Sequence, residues 1–191
     1  MRVSAKSISE YPFIARLIFW AQKRKYGETL APSKLWALSP KILYGLQVLY
    51  RAIDRKASPV EPQLRSLIGV RISQINHCEF CTDIGSSLLQ KRNVSMEKIK
   101  SLAQYAESSL FTDKEKAALT YAEAMTYSDR GVTDEIFDRL RKFFDDKEIV
   151  ELTALIAYQN LSSKFNAALR VPPQGFCFVP TKGKGESSLN V

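Results

Sequence analysis

Apolar residues recur at helical spacing along nearly the whole chain, and no stretch sustains the alternation expected of a strand. Residues about 9 to 26 carry an apolar-aromatic stripe through Phe13, Leu17, Trp20 and Ala21, and a loop is expected over about 27 to 32. Ser39-Pro40 reads as an N-cap with proline at the first helical position. It opens a helix with Leu43, Leu46, Val48, Leu49 and Ile53 that stops before Ser58-Pro59. Such stripes predict core or a subunit interface. Leu64, Leu67, Ile68, Ile72 and Ile75 predict a core-facing helix that breaks near Asn76-His77, with another beginning close to Cys78. Ser95 begins a short helix to about Glu107. Thr112 and Glu115 form a capping box for a helix ending near Ser128. Thr133 starts a helix whose acids and bases suit its dipole, and Asp145 with Glu148 caps a long one to about Leu169, ended by Pro172-Pro173.

The chain of 191 residues with 45% hydrophobic content fits one all-α domain. Its expected organisation is a basic N-terminal helical region over 1–58 packed on a main domain over 59–180, with a disordered Gly/Ser/Lys-rich tail over 181–191. No apolar run reaches the ~18 residues of a membrane span. The N-terminal PFIARLIFWA is interrupted by Arg16 and lacks a small-residue cleavage site, so a cytoplasmic protein is expected. Residues 1–60 carry 11 Lys and Arg against 3 Asp and Glu, so the whole net charge of +8 lies there. That excess suits an anionic surface or an acidic partner as well as a solvated face. No DNA-binding spacing accompanies it, so nucleic acid is not an expected partner.

Cys78 and Cys81 stand three residues apart, where one helical turn puts both thiols on one face. A cysteine in a first turn meets free N–H groups and the positive end of the dipole, which favour thiolate. Zinc needs about four ligands, whereas the chain offers Cys78, Cys81, Cys177 and the single His77, adjacent to Cys78. No metal or other cofactor is expected. Two buried structural cysteines are the plain alternative. Cys177 fits a structural thiol, or a third thiol exchanging with the pair; Asn160 and Asn166 fit core polar contacts or neighbours of the thiols.

The run Arg71-Ile-Ser-Gln-Ile-Asn-His-Cys78-Glu-Phe-Cys81 resembles the hallmark of the carboxymuconolactone decarboxylase superfamily, in its alkylhydroperoxidase D-like branch. Members read R-x-S-Q-L/I-N-G, then C-x-Y/F-C, then a histidine four residues on. Glu151 to Ala157, Asn160, Phe165 to Leu169 and Val171 to Phe176 resemble the family's last helix and its exit. Lys25-Tyr-Gly-Glu and Ser39-Pro-Lys resemble the start of longer members.

The resemblance implies an all-helical, oligomeric fold with a dithiol peroxidase site. It implies Cys81 as the thiol that attacks peroxide and Cys78 as the resolving thiol, with a separate dithiol as electron donor. The proton relay does not carry over: the family's glutamate position holds Ser66 and its histidine position Gly85. Losing a positioned base typically removes about 10²–10⁴ in rate. His77, Glu79 and Asp83 are candidate substitutes, His77 having the ordinary pKa nearest neutrality. The expected function is therefore thiol-dependent reduction of hydroperoxides. The competing expectation is a helical oligomeric scaffold or redox sensor with little turnover; a decarboxylase-like lyase ranks last, because those relatives work through histidine.

Overall fold

The computed structural model describes residues 1–177, which are helical throughout with no strand. The proposed tail, and the last residues of the proposed main domain, lie outside the described residues. After a short 3-10 turn at Ile8–Glu10 the helices are α1 (Phe13–Tyr26), α2 (Ala31–Trp36), α3 (Pro40–Ile53), α4 (Pro62–Ile75), α5 (Glu79–Lys91), α6 (Met96–Lys100), α7 (Asp113–Thr126), α8 (Asp134–Arg141) and α9 (Asp146–Ala168). The capping chemistry forms as read: Thr112 and Asp145 each accept from the backbone of the residue three on, and Glu115 and Glu148 reach back. Gly27 ends α1 at φ 88°, a left-handed conformation that glycine adopts without a Cβ penalty.

α4 is the central helix. Leu64, Leu67, Ile68 and Ile72 are buried against Leu89 of α5, Leu119 and Ala122 of α7, and Leu152 and Ile156 of α9. Each such side chain contributes about 1.5–3 kcal/mol by leaving water. The family-like run serves this packing. Arg71 pairs with Glu123 of α7 at 2.6 Å, and Ser73 accepts from Gln159 of α9 at 2.9 Å. Asn76 donates to Asn160 at 2.9 Å and to Ser163 at 2.8 Å. These residues lock α4 to its neighbours and hold the turn before the cysteines in place.

The N-terminal helices form a small cluster of their own from Tyr11, Ala15, Phe19, Ala37 and Leu43. They meet the main domain where Leu35 packs with Cys78, Phe80, Cys81 and Val171, and where the Trp36 ring stacks on Phe165 with centroids 3.4 Å apart. Of the two roles expected for the stripe of α1, core or subunit interface, the chain's own core is not the one taken: Phe13, Leu17 and Trp20 are 67%, 48% and 59% exposed, and Ala15 and Phe19 are the buried pair. In α3 likewise Leu43 and Ile53 are buried whereas Val48 and Leu49 are exposed. Both faces of α1 are apolar, so periodicity identifies the helix without saying which face the core takes. Among the described residues no helix is long and apolar enough to cross a membrane.

Candidate active site

The turn between α4 and α5 builds the dithiol. Asn76 ends α4, His77 takes the left-handed conformation at φ 53°, and Cys78 is the N-cap of α5. The family's motif has glycine at the position of His77, which suits that backbone better than a branched chain does. Cys78 and Cys81 are joined in a disulfide with Cα atoms 5.3 Å apart. Each sulfur meets one N–H donor: Cys81 N donates to Cys78 Sγ at 3.2 Å, and Asn166 Nδ2 on α9 donates to Cys81 Sγ at 3.2 Å. Such donors favour the thiolate once the pair is reduced.

The two cysteines face different spaces. Cys81 lines a partly open cleft of about 570 Å³ between α1, α2 and α3 on one side and α4, α5 and α9 on the other. Trp36, Phe80, Tyr50 and Tyr158 supply much of its wall. Burial pushes the Tyr158 hydroxyl up to about 12, and burial with neighbouring Tyr26 and Asp54 raises Tyr50 too, so both rings are neutral at physiological pH. Cys78 lines a shallow surface depression with Ser73, His77, Glu79 and Asp83. His77 is exposed there and does not line the Cys81 cavity.

The relay positions are occupied by other interactions. Ser66 accepts from Arg92 Nη1 at 2.7 Å, and Arg92 and Arg65 both bind Asp54 at 3.1 Å. Gly85 lies so close to α4 that a Cβ there would come within 2.7 Å of Val70 Cγ2. Any side chain there requires Val70 to shift. Asp83 accepts from the backbone N–H groups of Gln174, Phe176 and Cys177 at 2.9, 3.1 and 2.7 Å. It pins the segment after α9 over the dithiol region. Burial, with the Asp83 charge, holds the Cys177 thiol above its ordinary pKa. Among the described residues no group of three or more His, Cys, Asp or Glu is placed to hold a metal ion.

Residues missed by sequence reasoning are Asp54, Arg65 and Arg92. The available signal was Arg65 itself, a cation inside the apolar run of α4 that is only 6% exposed. Asn166, which sequence left between core and thiol neighbour, touches Cys81 directly.

A profile of the carboxymuconolactone decarboxylase family matches residues 25–124. The uncharacterized protein YnjA of Escherichia coli (strain K12) is 42% identical over 175 residues, covering 92% of this chain and 96% of YnjA. The crystal structure of an alkylhydroperoxidase AhpD core, an uncharacterized peroxidase-related protein from Ralstonia eutropha JMP134, superposes with TM-score 0.82 at 19% identity, covering 92% of this chain and 93% of that one. The debrominase Bmp8 in complex with 2,3,4-tribromopyrrole gives TM-score 0.80 at 20% identity, covering 92% and 93%. The family match over residues 25–124 shows that the chain belongs to the carboxymuconolactone decarboxylase family, and the solved structures share its all-helical fold.

Proposed function

We propose that the protein is a dithiol peroxidase in which the two cysteines serve different sides of the molecule. The observation that carries this reading is that Cys81 lines the cleft between the N-terminal helices and α4, α5 and α9, and Cys78 the surface depression. In the reduced protein the Cys81 thiolate attacks the terminal oxygen of a hydroperoxide. The O–O bond breaks, the alkoxide leaves with a proton as alcohol, and Cys81 becomes a sulfenic acid. The Cys78 thiol then attacks that sulfur, water departs, and the Cys78–Cys81 disulfide forms. A dithiol donor attacks Cys78 from the side of the depression once local opening bares this residue, only 2% exposed in the disulfide form, and exposed His77 shuttles the proton of exchange. Asn166 Nδ2 takes over part of the absent relay by stabilising the Cys81 thiolate.

The exposed faces of α1 and α3, with Phe13, Leu17, Trp20, Val48 and Leu49, serve self-association in this reading. Turnover is tested by following hydroperoxide loss with a dithiol donor in the wild type, Cys81→Ser and Cys78→Ser. Loss of turnover in both variants is expected; wild-type rates in Cys81→Ser would overturn the assignment.

The cavity's volume and aromatic wall also favour a second reading, reductive dehalogenation of a small halogenated aromatic, for which the Bmp8 fold gives a precedent. There the dithiol supplies two electrons, halide leaves and carbon takes a proton. Thiol-dependent halide release from a bromopyrrole, without peroxide turnover, would select it.

A further inference from the structure

Among the described residues, two buried side-chain polar atoms have no hydrogen-bond partner, Arg65 Nε and Asn166 Oδ1. Both residues are more than nine-tenths buried, at 6% and 2% exposure, and both line the Cys81 cavity. A buried donor or acceptor without a partner is costly, and two on residues that line one cavity point to a ligand whose entry turns them towards it. They differ in chemistry. Asn166 Oδ1 is a neutral acceptor, on the same amide whose Nδ2 lies 3.2 Å from Cys81 Sγ. Arg65 Nε is a cationic donor. Its Nη1 donates to the Arg55 carbonyl at 3.0 Å and its Nη2 pairs with Asp54 at 3.1 Å, whereas Nε has no partner.

The surrounding charge sets the sign and size of the partner. Buried Arg65 and partly buried Arg92 share the single carboxylate of Asp54, so the trio carries one uncompensated positive charge. Asp54 is also the one acidic residue lining the cavity, against Lys25, Arg51, Arg65, Lys91 and Arg92. Burial, with Arg92 and Arg55 close by, pulls the Arg65 guanidinium below its ordinary pKa, against the Asp54 charge that raises it. A monoanion would match this site, and the volume of about 570 Å³ is that of a pocket for a sizeable organic molecule.

We infer that the substrate is an organic hydroperoxide bearing a carboxylate. Its carboxylate binds Arg65 Nε, its apolar body lies along the aromatic wall, and its peroxide O–H donates to Asn166 Oδ1 beside Cys81. The inference rests on the peroxidase reading and adds the polar end of the substrate. The chemical step is unchanged, with ROOH and two thiols giving ROH, water and the disulfide.

The experiment compares 13-hydroperoxyoctadecadienoic acid with its methyl ester on the reduced full-length protein, with dithiothreitol as donor. A charge-assisted hydrogen bond to a buried guanidinium is expected to favour the acid by about tenfold or more in kcat/KM. Arg65→Lys keeps the charge beside Asp54 and removes Nε, and should shrink the acid-to-ester ratio several-fold; being a ratio, it does not depend on how much variant folds. Equal use of acid and ester by the wild type overturns the inference and leaves the peroxidase reading standing. Binding of the unreactive 13-hydroxy acid is measured alongside by thermal shift. Binding of that acid in preference to its ester, without turnover of either peroxide, supports the anion site and overturns the peroxidase reading; neither binding nor turnover overturns both.

Discussion

Gly85 holds the position of the family's histidine, and its packing makes a quantitative prediction. In an unobstructed helix interior, Gly→Ala stabilises by about 1 kcal/mol. At position 85 the new Cβ would lie 2.7 Å from Val70 Cγ2, on the face where α5 packs against α4. Overpacking of that kind costs about 1–3 kcal/mol, so Gly85→Ala should come out neutral to about 2 kcal/mol destabilising. Val70→Ala alone should cost about 2 kcal/mol for the lost apolar volume. In the double variant the obstructing methyl is gone, so the two effects should fall short of additivity by about 1–3 kcal/mol. For a chain of this size each kcal/mol is about 2–4 °C in Tm, so the coupling is well within reach of circular dichroism on the four reduced proteins. Gly85→Ala that stabilises by about 1 kcal/mol with no coupling to Val70→Ala would refute the claim that a side chain here requires Val70 to shift. It would also remove the steric reason for the missing histidine.

Other consequences follow from single contacts. Arg71→Ala leaves Glu123, 15% exposed between α4 and α7, with only the more distant and exposed Arg130 at 3.9 Å, and should cost about 2 kcal/mol in urea unfolding. His77→Gly relieves a side chain held at φ 53° and should stabilise by about 1 kcal/mol, read as a rise in Tm. Asp83→Asn removes a charge that raises the Cys177 pKa and weakens three backbone contacts, so Cys177 should alkylate several-fold faster at pH 8, read by mass spectrometry. Replacing Phe13, Leu17 and Trp20 by serine should lower the assembly mass in light scattering while circular dichroism stays helical.

Local chemistry was the legible part of this fold. Caps such as Thr112 with Glu115 and Asp145 with Glu148 are settled within four residues, and the structure forms them where the sequence places them. The dithiol was equally local, because the N-cap geometry of Cys78 brings Cys81 to it within one turn. Short α2 is not legible in the pattern: the loop expected over about 27 to 32 overlaps only its first two residues, and six residues with proline and serine near the start carry no periodic signal. Asp83 reads from the sequence as a candidate relay acid, yet its partners lie about ninety residues away in the exit segment. The cavity was hidden for the same reason. It lies between α1–α3 and α4, α5 and α9, and nothing in a one-dimensional pattern sets Arg65 and Asn166 on one wall system. Resemblance identified Arg71, Ser73 and Asn76 as a motif; only their contacts with Glu123, Gln159, Asn160 and Ser163 explain it physically.

The most direct measurement of what Cys81 does is a single turnover followed by intact-mass and peptide mass spectrometry, with the fully reduced protein mixed with one equivalent of hydroperoxide. The wild type should convert to the Cys78–Cys81 disulfide with one alcohol formed per chain. Cys78→Ser should stop at a sulfenic acid on Cys81, trapped by dimedone, and Cys81→Ser should remain reduced over the same interval. Oxidation of Cys78 or Cys177 at the wild-type rate in Cys81→Ser would contradict the assignment of Cys81 as the attacking thiol.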